Sequence, residues 1–143
     1  MGDLKMETND IADLFIAATG KIEFYWNFYT VTLLVLIGWL ISTKKILRTE
    51  LKCLITVGYL VFACMNILGL WGSYTFAEAL RQDLLFAAQS APDTLKHAQV
   101  ILAESSFSKQ KVSVLLIHGV LGVFVVSVIW FGRLGELGED NKN

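Results

Sequence analysis

Residues 112–132 read VSVLLIHGVLGVFVVSVIWFG, 21 positions without an Asp, Glu, Lys or Arg. A helix needs about 20 apolar residues to cross the hydrocarbon core of a bilayer, so this stretch is long enough to do so. Two others match it. Residues 24–43 give 20 uncharged positions and residues 53–77 give 25. Across the 143 residues, 55% are hydrophobic and 17% charged, against roughly a quarter charged in soluble domains. A chain this short cannot wrap three such helices in further protein. The sequence therefore predicts an all-α integral membrane protein with three transmembrane helices and a small amphipathic helical cap on one side.

Working outward from the three spans gives one membrane domain over 1–143. An amphipathic N-terminal segment covers 1–21, where Ile11, Leu14, Phe15 and Ala18 fall at helical spacing. Thr8 or Asn9 is the expected N-cap and Gly20 the expected stop. The first transmembrane helix covers 22–46, and the second covers 51–89 and extends out of the membrane. A cap helix follows at 90–105, introduced by Ser90, Pro92 and Asp93. The third transmembrane helix covers 112–132, and the Gly-rich tail 133–143 is expected to be flexible.

The first span is too long for a signal-peptide core and is preceded by an acidic tail. It is therefore expected to stay in the mature protein. Lys44, Lys45, Arg48 and Lys52 crowd one short turn. By the positive-inside rule that turn faces the cytoplasm, with the N-terminus and cap outside and the C-terminus cytoplasmic. The expected location is the plasma or an inner membrane. Tyr25, Trp26, Tyr29, Trp71 and Tyr74 would line one interface, and Trp39 and Trp130 the other.

Function classes are narrowed mainly by what the sequence lacks. It contains no nucleophile elbow, zinc-protease motif, paired-cysteine motif or phosphate-binding glycine loop. The absence of an ionisable carboxylate or amine inside any span argues against an ion-coupled transporter. A net charge of −1 gives no reason to expect nucleic acid as a partner. Cys53 and Cys64 lie eleven residues apart on one helix, about 16 Å along its axis, too far for a mutual disulfide.

What remains is a set of small and polar residues inside the spans. His118, Asn66, Asn27, Thr30 and Tyr59 form the candidate intramembrane polar cluster. His118 is the seventh residue of its span, about 10 Å deep at 1.5 Å per residue. Asn66 lies in the same half of the membrane. Gly38, Ser42, Gly69, Ser73, Gly119 and Gly122 are candidate helix-packing positions, where small residues let backbones approach. No catalytic residue, metal site or cofactor is expected. The function expected is non-enzymatic: assembly in the bilayer as a homo-oligomer, with a pore as the sharper version, or as an accessory subunit of a larger membrane complex. The alternatives are a haem- or redox-binding membrane subunit using His118, and a sensor or effector whose cap binds a ligand.

Overall fold

A computed structural model describes residues 8–43, 47–90 and 96–131. Four helices account for nearly all of them, and no strand occurs among the described residues. They are α1 (Thr8–Ser42), α2 (Thr49–Ser90), α3 (Lys96–Glu104) and α4 (Phe107–Phe131). Helices α1, α2 and α4 are each long and apolar enough to cross a membrane. At 1.5 Å per residue α1 is about 52 Å long and α2 about 63 Å, well beyond the roughly 30 Å of a hydrocarbon core. Each therefore carries a part that such a core would not cover.

Helix α2 is the centre of the bundle. It packs along α1 on one side and α4 on the other, while the backbones of α1 and α4 stand further apart and meet through their side chains. The buried positions explain the arrangement. Ala18, Ile22, Tyr29 and Leu33 recur at four- and seven-residue steps on α1, and Val114, His118, Val125 and Ile129 do so on α4. Such spacing keeps one stripe of a helix turned towards its neighbour. Two apolar layers result. Ala18, Ile22, Leu70, Tyr74, Ala77 and Val114 form one, and Tyr29, Leu33, Tyr59, Ala63, Val125 and Ile129 form the other.

Most of the apolar surface points away from these layers. Phe24, Leu34, Val35, Leu54, Met65, Leu68 and Val123 are all exposed. In water, a continuous apolar surface on this scale would drive association. Trp39, Trp71 and Trp130 are also exposed. At one end, Lys52 Nζ donates to Trp130 O at 3.1 Å and Trp130 Nε1 donates to Thr56 Oγ1 at 3.2 Å, which ties the start of α2 to the end of α4.

The other end is closed by an ion pair. Arg81 Nη2 lies 2.6 Å from Glu78 Oε1, and Arg81 Nε donates to Glu78 Oε2 at 3.0 Å. Each partner then reaches a helix terminus. Arg81 Nη1 donates to Leu102 O near the end of α3. Glu78 Oε2 accepts the Phe107 N–H, at 3.2 Å, at the start of α4. A cation thus sits at a helix C-terminus and an anion at an N-terminus, the favourable sense for both dipoles. The Arg81 guanidinium, helped by the Gln82 amide and the Phe107 N–H, holds the Glu78 carboxyl down at about 2. Glu78 lies just beyond the uncharged stretch of α2.

Several boundaries differ from the sequence expectation. Gly20 does not stop a helix: α1 runs through it unbroken. A helical glycine costs about 1 kcal/mol, and burial of Ala18 and Ile22 on either side outweighs that. The amphipathic segment and first span are therefore one rod. That rod ends at Ser42, not 46, and positions 44–46 lie outside the described residues. Ser90 closes α2 instead of opening the next helix. Pro92 and Asp93 lie outside the described residues, and α3 occupies Lys96–Glu104. Helix α4 starts at Phe107, five residues before the expected 112, because Glu78 satisfies its first N–H. The segment 1–7 and the tail from 132 also lie outside the described residues.

Candidate functional site

Between the two apolar layers lies a polar junction to which all three long helices contribute. Helix α4 supplies His118 and helix α2 supplies Asn66, and these are 2% and 3% exposed. His118 Nε2 is 3.0 Å from Asn66 Oδ1. His118 Nδ1 is 3.0 Å from Val114 O, one turn back along α4. Asn66 Nδ2 donates to the Tyr25 carbonyl of α1 at 3.1 Å. The chain of contacts therefore runs from α4 through α2 to α1. Among the described residues, no buried side-chain nitrogen or oxygen lacks a partner.

Aromatic rings enclose the imidazole from the α1 side. The Tyr29 ring stacks on it with centroids 4.0 Å apart and planes 28° apart. Trp26 lies 5.2 Å away at 51°. Both rings are themselves held by hydrogen bonds. The Tyr29 and Tyr59 hydroxyls are 3.0 Å apart, and Trp26 Nε1 donates to Tyr74 Oη at 3.1 Å. A buried phenol or indole normally finds such a partner.

The close approach of α1 to α2 at this level depends on Gly69. A Cβ built on it would lie 2.5 Å from the Tyr25 ring, closer than real contacts allow. Without a side chain at 69, the Tyr25 ring packs directly over Gly69 and the Tyr25 carbonyl comes within reach of Asn66. Gly122 has a related but looser role, since its Cβ would meet Tyr59 Oη at 3.7 Å. Ser73 is half-buried and donates to Gly69 O within its own helix.

The rest of the expected sets falls elsewhere. Asn27 and Thr30 are exposed and do not join His118. The reason is angular. At 3.6 residues per turn Asn27 lies about 160° around α1 from the buried Tyr29. Tyr59 is buried but reaches the junction only through Tyr29. Gly38 and Gly119 are exposed, with nothing within 4 Å of a would-be Cβ. Neither is a packing glycine in this bundle. Ser42 is exposed and donates to Gly38 O of its own helix.

Trp26, Tyr29 and Tyr74, which the sequence offers only as part of an interfacial belt, also build this site: Tyr29 and Tyr74 are buried and Trp26 is half-buried. Their spacing with Ile22 and Leu33 was the available signal.

Chemically the junction offers one imidazole, one amide, phenols and backbone carbonyls. Both imidazole nitrogens are already engaged, so a haem iron at His118 would have to break one of these contacts. Among the described residues no group of three or more His, Cys, Asp or Glu gathers in a way that could hold a metal ion. Both cysteines are free and exposed. No family model matches this chain, and no curated protein or solved structure is similar enough to count as a match.

Proposed function

We propose that the chain is a small integral membrane protein that crosses the bilayer three times and works by assembly, without an enzymatic activity of its own. The observation that carries the reading is the outer face of α1. Asn27, Thr30 and Gly38 lie there, turned away from the bundle among exposed apolar side chains such as Val31 and Leu34. The inner face needs none of them, because among the described residues each buried polar side-chain atom there already has a neighbour within hydrogen-bond distance. Small and polar residues facing hydrocarbon are typical of helix–helix contacts in membranes, where each polar bond contributes about 0.6–2 kcal/mol. Beside this strip α1 and α2 leave an open apolar groove of about 580 Å³, with Val31, Val35, Trp39, Ile55 and Phe62 on its walls and Gly58 between them. Such a groove offers a seat for a neighbouring helix.

In this reading the partner is a second copy or a larger membrane protein. A pore, where one exists, lies around an axis between copies, since the centre of each bundle is packed. The basic turn around Arg48 faces the cytoplasm, and the end of the bundle carrying Glu78 and α3 faces outside.

Mass measurement of the chain in nanodiscs tests the assembly reading. The result expected is a particle heavier than one 16.0 kDa chain, or one carrying a stoichiometric partner. Asn27→Leu and Gly38→Ile should weaken it about three- to thirtyfold. A lone monomer at all protein-to-lipid ratios contradicts the reading. Orientation is read separately, with Cys53 and Cys64 replaced by Ser and a single cysteine introduced by Arg48→Cys. A membrane-impermeant thiol reagent should reach it only after the membrane is opened.

A further inference from the structure

His118 sits where a neutral imidazole has too few protons. Val114 O and Tyr25 O are carbonyls and can only accept. The Tyr25 carbonyl therefore turns the Asn66 amide nitrogen towards itself, at 3.1 Å, and this leaves Asn66 Oδ1 facing His118 Nε2. Both ring nitrogens thus look at acceptors, each 3.0 Å away. A neutral ring carries one N–H and one lone pair, and the imidazolium carries two N–H groups. With the proton on Nδ1, the Nε2 lone pair opposes Asn66 Oδ1. With it on Nε2, the Nδ1 lone pair opposes Val114 O. Turning Asn66 over relieves the first conflict and sets Oδ1 against the Tyr25 carbonyl instead. The doubly protonated ring alone gives every atom a partner.

The surroundings complement a cation without neutralising it. Tyr29 presents its face to the imidazole at 4.0 Å and Trp26 lies at 5.2 Å, an arrangement that attracts positive charge. The groups facing His118 are Trp26 and Tyr29 from α1 and Asn66 from α2, with the Tyr25 carbonyl behind Asn66 and Tyr59 and Tyr74 behind the rings. From its own helix come Val114 and, two turns away, Lys111, whose ammonium lies 5.4 Å over the Trp71 ring. None is a carboxylate. The proton is thus held by dipoles and ring faces, against apolar surroundings that oppose a charge.

We propose that His118 is a proton-binding site, and that occupancy by the proton locks α4 to α2 and α2 to α1 through Val114, Asn66 and the Tyr25 carbonyl. Loss of the proton leaves one of these contacts unmade and loosens the joint. The inference does not depend on the oligomeric state.

The test is nitrogen NMR of the full chain in nanodiscs, with labelled histidine and asparagine and with His97→Gln so that only His118 reports. The pH is taken from about 5 to about 8, the range in which histidine charge changes occur. The expected result is two N–H groups on the ring at the acid end, one at the alkaline end, and an Asn66 amide signal that moves with the same midpoint. Asn66→Leu removes an acceptor of the charged ring and should lower the midpoint by about one pH unit. Three results would each overturn the proposal: a ring neutral at every pH, a ring that titrates while Asn66 stays still, and a midpoint unmoved by Asn66→Leu. Should Asn66→Leu not fold, the titration with Asn66 intact decides the question alone.

Discussion

Two of the polar joints in this bundle, one at its end and one midway along, are built by opposite means. At the end of the bundle, Glu78 and Arg81 carry full charges and spend them on helix termini, the Phe107 N–H and the Leu102 carbonyl. Midway along, His118 and Asn66 link three helices in a stretch with no Asp, Glu, Lys or Arg. In the three-span placement proposed above, the difference follows from the solvent at each level. An ion pair near a membrane surface costs little, whereas a permanently charged side chain within hydrocarbon costs much more, and the joint there uses an amide, a carbonyl and an imidazole instead.

The largest effect should come from the charged joint. Arg81→Met leaves Glu78 without its cation and Leu102 O without its donor. The expected loss is about 3 kcal/mol of unfolding free energy, measured by reversible unfolding in bicelles. A variant as stable as the parent would mean that the α3–α4 corner contributes little.

The uncharged joint should follow at about 2 kcal/mol. Gly69→Ala drives a Cβ into the Tyr25 ring and overpacks the α1–α2 contact. Gly119→Ala is its control: nothing lies within 4 Å there, so the helical propensity of alanine should make it neutral to stabilising by up to about 1 kcal/mol. Equal effects at the two glycines would dissolve the distinction between packed and open positions.

Acid should separate the joints more gently. The Glu78 carboxyl drops from the ordinary 4.5 to about 2 on folding. A carboxyl depressed in this way contributes stability that is complete above 4.5 and fades as pH falls towards about 2. Thermal unfolding followed through that window should show the parent losing its advantage over Glu78→Gln. A constant difference between them would contradict the assignment. The smallest effect on the fold itself belongs to Asn27→Leu, within about 0.5 kcal/mol, in contrast to its expected effect on assembly.

The three long apolar helices were legible in the sequence, because charge is absent over whole membrane-length runs and present between them. The His118–Asn66 contact was legible too, since both residues could be placed at similar depth from the ends of their runs. Asn27 and Thr30 misled because a helical wheel fixes angles between residues but not which face turns inward. On α1 the aromatic face turns in, and rings that resemble an interfacial belt become the wall of the site. Gly20 misled because local propensity, at about 1 kcal/mol, yields to packing on both sides. The corner at Glu78 and Arg81 was illegible for another reason. An i,i+3 ion pair reads as an ordinary solvated pair, and its further partners are backbone groups that carry no sequence signal.

His118 and Asn66 form one joint between α4 and α2, and each should depend on the other. A double-mutant cycle measures this directly, comparing His118→Leu, Asn66→Leu and the double variant by unfolding in bicelles. The expected coupling is about 1–2 kcal/mol, with the second substitution costing much less than the first. Losses that simply add, to within about 0.3 kcal/mol, would contradict it.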